Sequence, residues 1–103
     1  MKVRFTRWAE ICLKEIYNHY LEEANLEKAS EIVNNIIDKA ETLDDFPNRG
    51  RIEEDLRIIG KGHRYLLEYH YKIIYRVVDG EVLIITDIFS NNQNPSRKEK
   101  RNK

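Results

Sequence analysis

The apolar residues of this chain change their spacing once, at a break marked by Pro47 and Gly50. Before it they recur every three or four residues, the period of a helix face; after it they alternate, the period of a strand. A chain organised this way folds as helices laid on a sheet built mostly downstream of them. Trp8, Ile11, Cys12, Ile16, Tyr20 and Leu21 form one helical stripe, from about Arg7 to Ala24. Leu26, Ala29, Val33, Ile36, Ile37, Ala40 and Leu43 form the next. Asn25, between them, carries a side chain that can cap the second helix. So short a link predicts an antiparallel helical hairpin.

Ahead of the hairpin, Lys2 to Thr6 alternates with Val3 and Phe5 on one side, which reads as a strand. After the break, Leu56–Ile59 reads as a short strand and Gly60-Lys61-Gly62 as a turn. His63–Tyr69, Tyr71–Val78 and Glu81–Phe89 read as a meander, with Asp79-Gly80 as a hairpin turn. The expected fold is α+β, in the order β-α-α-β-β-β, with the helical hairpin on one face of a small, mainly antiparallel sheet. At 103 residues the chain is one domain, expected over 1–95. Residues 96–103, with five basic residues against Glu99, read as a basic, disordered tail.

One side-chain parity carried through the meander sets Tyr65, Leu67, Tyr69, Tyr71, Ile73, Tyr75, Val77, Val82, Ile84 and Ile88 against the helices. Trp8, Ile16 and Ile36 join them in the expected core. The other face then carries Arg64, Glu68, Lys72, Arg76 and Asp87, mixed with Leu66, Ile74, Leu83, Ile85 and Phe89. A face half charged and half apolar is built to be covered, by a partner or by the chain's own loops and tail.

Lysine plus arginine equals aspartate plus glutamate, 18 each, which argues against a nucleic-acid coat protein. The single cysteine, Cys12, excludes an intrachain disulfide and suits a reducing cytoplasm. The start, Met1 to Phe5, lacks the apolar run of a signal peptide, and no apolar stretch approaches spanning length. A soluble cytoplasmic protein without a membrane partner is expected. His19, His63, His70 and Cys12 show no ligand spacing, and Gly60 and Gly62 do not open a helix after a strand. No metal and no cofactor are therefore expected, with Cys12 in the core and His63 and His70 at the surface. Arg49, Arg51, Arg57, Lys61, Arg64, Lys72 and Arg76 lie in the loop and the meander. Such cations can hold phosphate or stabilise charge, or simply fill exposed sheet positions.

Read in order, Pro47-Asn48-Arg49-Gly50-Arg51, Gly62-His63-Arg64-Tyr65-Leu66, Tyr71 to Val77, Ile84 to Phe89 and Gln93-Asn94-Pro95 resemble the ParE/RelE toxin superfamily. These are type II toxin–antitoxin or plasmid stabilisation proteins, and the resemblance is closer to ParE-like members. It implies a toxin whose partner is a cognate antitoxin protein and whose target is DNA gyrase, inhibited by binding. The RelE-like alternative is a ribosome-dependent mRNA endonuclease, with Lys61, Arg64 and Arg76 as its catalytic set. A third reading is an inactive toxin fold that only binds antitoxin. RelE-like nucleases carry an arginine after the last strand, where Asn92 stands here, and no tyrosine or histidine follows Tyr75. A toxin that is not an enzyme is therefore expected. Its antitoxin- or target-binding residues are expected to be Arg64, Leu66, Lys72, Ile74, Arg76, Leu83, Ile85, Phe89 and Asn92. A homodimer or a larger toxin–antitoxin assembly is compatible with this reading.

Overall fold

Thr6 starts the helical hairpin: it is extended (φ −69°, ψ 161°) and its side chain accepts from the Ala9 N–H. In the computed structural model, which describes residues 1–91, helix α1 follows over Arg7–Glu23. Asn25 caps α2 (Leu26–Glu41) as its side chain suggests, accepting from the Lys28 N–H at 2.8 Å. A 3-10 turn, Thr42–Asp44, closes the hairpin and buries Leu43. Ahead of the helices lies β1 (Lys2–Phe5); after them come β2 (Arg51–Ile52), β3 (Arg64–Glu68), β4 (Tyr71–Val77) and β5 (Val82–Ser90). The five strands form one sheet in the order β1-β5-β4-β3-β2. Only β1 and β5 run parallel; the other neighbours are antiparallel. The β-α-α-β-β-β order holds, with the two-residue β2 added. No helix among the described residues is long and apolar enough to cross a membrane.

The main core lies between the hairpin and one sheet face, with α1 on β5 and α2 on β3. Ile16, Ile36, Tyr71 and Ile73 are buried there as expected. Trp8 is not: it is 41% exposed, and Val82 is only partly buried. Ile32, outside the expected stripe, is buried instead.

Parity is right on β4 and at Ile88 and Phe89 of β5, and wrong on β3 and on the first part of β5. Glu68 stands opposite Tyr71 across a two-residue turn, so even positions of β3 share a face with odd positions of β4. Leu66 is therefore in the main core, and Leu67 is 47% exposed on the other side. On β5 a bulge does the same: Ile74 pairs with Asp87 but Tyr75 with Ile85, leaving Thr86 as the extra residue. Before the bulge Leu83 and Ile85 face the helices; after it Ile88 does. Leu66, Leu83 and Ile85, expected on the open face, are thus 0–6% exposed core residues.

The expected strand at Leu56–Ile59 is a 3-10 segment, Glu54–Ile59. Glu53 caps its start, Glu54 and Asp55 place negative charge in its first turn, and Gly60 ends it at φ 74°. His63, expected at the surface, is 2% exposed.

Candidate functional site

The sheet face turned away from the helices is partly covered by the chain itself. Leu56 from the 54–59 segment packs on Ile74 and Phe89, with Ile59 and Tyr65 at the margin. Ile74 is 0% and Phe89 4% exposed. The segment is fixed from below: Lys72 Nζ donates to Glu53 Oε2 at 3.0 Å and sits 4.3 Å above the Tyr65 ring. Glu53 itself is buried, and its backbone N–H donates to the His63 carbonyl. Of the expected binding residues, Lys72, Ile74 and Phe89 therefore hold this cover in place. Glu53 is legible in the sequence only as an acidic N-cap ahead of Glu54 and Asp55.

Beyond the cover the same face is open. Val3 and Phe5 pack on the core, so Lys2 and Arg4 point the other way. Arg4 stands opposite Ile84, and Arg76 stands opposite Ile84 from its other side. The result is one rung of the sheet, arginine–isoleucine–arginine, with Lys2 and Val82 beside it. Arg76 is partly buried, and its Nε is shielded from solvent with no hydrogen-bond partner among the described residues. A dry guanidinium N–H of this kind is stabilised by an arriving carboxylate, which can bind it in a fork. Arg4 went unnoticed in the sequence because β1 alternation does not tell which strand β1 joins.

Arg64 is elsewhere. It stands opposite Tyr75, a residue of the helix-side core, so its side chain starts on the helix side. Its guanidinium donates to the Gly50 carbonyl at 2.8 Å. Tyr75 completes the same anchorage: its hydroxyl donates to the Pro47 carbonyl at 2.8 Å and accepts from the Gly50 N–H at 2.9 Å. Burial pushes the Tyr75 phenol up, while the Gly50 N–H and the Arg64 charge pull it back. Lys61 is exposed in the turn between Gly60 and Gly62. Of the three cations of the nuclease reading, Arg64 thus starts on the helix side of the sheet and Arg76 on the other, with Lys61 in a turn. Asn92 and the 95/96 boundary lie outside the described residues.

Under α1 is a buried polar cluster. Asp87, 1% exposed, accepts from Trp8 Nε1 at 2.9 Å and from Cys12 Sγ at 3.6 Å. This bond accounts for Trp8 standing at the rim. Burial, with the Asp87 charge adding to it, pushes the Cys12 thiol up to about 11. A thiol so protonated is a hydrogen-bond donor and neither a nucleophile nor a metal ligand at neutral pH.

The sequence matches the family model for the ParE toxin of type II toxin–antitoxin systems, parDE, over residues 3–95. Among solved structures, a chain from one described as the chromosomal ParDE TA system from P. aeruginosa is similar, at 29% identity and a TM-score of 0.73. The match covers 87% of this chain and 95% of that one. No curated protein matches.

Proposed function

This chain belongs to the ParE toxin family of type II toxin–antitoxin systems, and from that membership we propose a cytoplasmic toxin that acts by binding DNA gyrase and is neutralised by a cognate antitoxin. The observation that favours binding over mRNA cleavage is the placement of Arg64 and Arg76 on opposite faces of the sheet. RNA cleavage needs cations and a proton acceptor converging on one phosphate, whereas Arg64 is bonded to a loop carbonyl.

The antitoxin contact is assigned to the open part of the sheet face. Ile84 between Arg4 and Arg76 suits a segment that is amphipathic and acidic. Such a segment can be disordered alone and order on binding. To reach Ile74 or Phe89 it would have to lift the 54–59 segment and break the Glu53–Lys72 pair.

The test is expression of the chain with and without the antitoxin encoded beside it. The expected result is growth arrest with DNA-damage signalling, relieved by the antitoxin, and relieved poorly for Arg76→Glu. Unimpaired growth at high expression would promote the inactive reading. Arrest without DNA-damage signalling, accompanied by codon-phased mRNA cuts, would promote the nuclease.

A further inference from the structure

The loop between α2 and β2 is fixed from several directions at once. Within it, the Phe46 N–H donates to the Thr42 carbonyl and the Arg49 N–H to the Phe46 carbonyl. The Arg49 guanidinium donates to Thr42 Oγ1 at 2.8 Å. Tyr75 and Arg64 add the three bonds to Pro47 and Gly50 from the sheet. None of these bonds uses the Phe46 side chain, which is 63% exposed. An aromatic ring standing in water on a loop ordered without its help contributes little to folding. It is, however, the form a binding anchor takes: large, apolar and already in position, so that little ordering entropy is lost on association.

Its surroundings indicate what it docks on. The hollow formed by Asp45, Phe46, Pro47, Asn48 and Arg49 shares its Arg49 wall with a groove along β3. Lys39, Arg49 and Arg51 line that groove, and no carboxylate among the described residues does. Exposed Leu67 lies on the same strand. Of the two carboxylates at the loop, Asp44 accepts from the Met1 ammonium. This surface is at the β2 side of the sheet, and the Arg4–Ile84–Arg76 rung is toward the β1 side.

We propose that Phe46 is the anchor by which this toxin docks on its target: the ring enters an apolar cleft on the partner, and Lys39, Arg49 and Arg51 face an acidic rim beside it. The inference rests on the reading of DNA gyrase as that target. Acidic rim residues would speed encounter and fix orientation, while the buried ring would set residence time.

The experiment titrates purified chain into a gyrase supercoiling reaction and, separately, measures affinity for the antitoxin. Phe46→Ala should raise the half-inhibiting concentration by about tenfold or more, the scale of a lost aromatic anchor. It should leave antitoxin affinity and thermal stability near wild type, and Phe46→Trp should restore inhibition. Lys39→Glu combined with Arg51→Glu should also weaken inhibition, by a factor that shrinks as salt is raised. If Phe46→Ala and the charge reversals inhibit as wild type does, the anchor assignment is overturned while the gyrase reading stands. If Phe46→Ala instead loses antitoxin affinity and keeps inhibition, the occupant is wrong. A wild-type chain that leaves supercoiling untouched removes the gyrase reading and this inference together.

Discussion

Replacing Tyr75 with phenylalanine removes one oxygen atom and should cost a large share of this domain's stability. The ring stays, so the apolar burial of a residue 0% exposed is kept. What goes is a hydroxyl that accepts from the buried Gly50 N–H and donates to the Pro47 carbonyl. The N–H, left unpaired, costs about 1–3 kcal/mol; the carbonyl, only partly buried, regains water and adds roughly 0.5–1 kcal/mol. A total of about 1.5–4 kcal/mol is expected, against the 5–15 kcal/mol or so typical of whole domains. Urea unfolding followed by circular dichroism should show the midpoint falling by about 1–3 M at an unchanged slope. The 45–50 loop should become easier to cut with protease, and gyrase inhibition should weaken with it. A midpoint within about 0.3 M of wild type would show that Tyr75 is a packing residue and that the loop is fixed by other means.

Three further substitutions probe separate parts of the fold. Ile73→Ala, in a fully buried site on the central strand, should destabilise by about 2–5 kcal/mol in the same urea assay, and a neutral effect would invert the helix-side assignment of β4. Gly50→Ala should cost about 1–3 kcal/mol, because a Cβ there would lie 2.6 Å from Tyr75 Cε1 and 2.7 Å from the Tyr65 carbonyl oxygen; wild-type stability would mean the strand yields freely. Cys12 has an alkaline signature: its thiol ionises near its ordinary value of 9.0 in the unfolded chain but at about 11 in the fold. The native state then binds the extra proton, so stability falls as pH rises between those values, by about 2–3 kcal/mol if the whole shift is realised. Cys12→Ala should flatten the stability profile over that window, and an unchanged slope would place the effect elsewhere.

The helices were legible because capping and periodicity are local. Asn25 caps α2 through its own side chain, and Cys12, Ile16, Ala29, Ile36 and Ala40 are buried on the expected stripes, although Ala9 and Ile32 are buried off them and Trp8, Ile11, Leu21 and Leu26 are exposed. Trp8 failed the pattern because Asp87, far along the chain, holds its indole N–H at the rim. Sheet parity was legible only within a strand. A two-residue turn after Glu68 and one extra residue at Thr86 each exchange the faces, and neither alters the apolar alternation itself. Those two exchanges moved Leu66, Leu83 and Ile85 from the expected binding face into the core. The cover over Ile74 and Phe89 was hidden because Leu56, Ile58 and Ile59 have strand-like composition. Glu53 and Gly60 are what make the segment a 3-10 turn. The pairing of Arg4 with Arg76 across Ile84 depends on β1 joining β5, a long-range choice that local pattern does not encode.

The proposed mode of action is binding to gyrase, with no chemistry on RNA. The most direct test is supercoiling of relaxed plasmid by purified gyrase as the purified chain is added. Inhibition that rises with the chain and is reversed by the antitoxin is the predicted result. Supercoiling that proceeds unchanged, from a folded chain that still arrests growth, would contradict it.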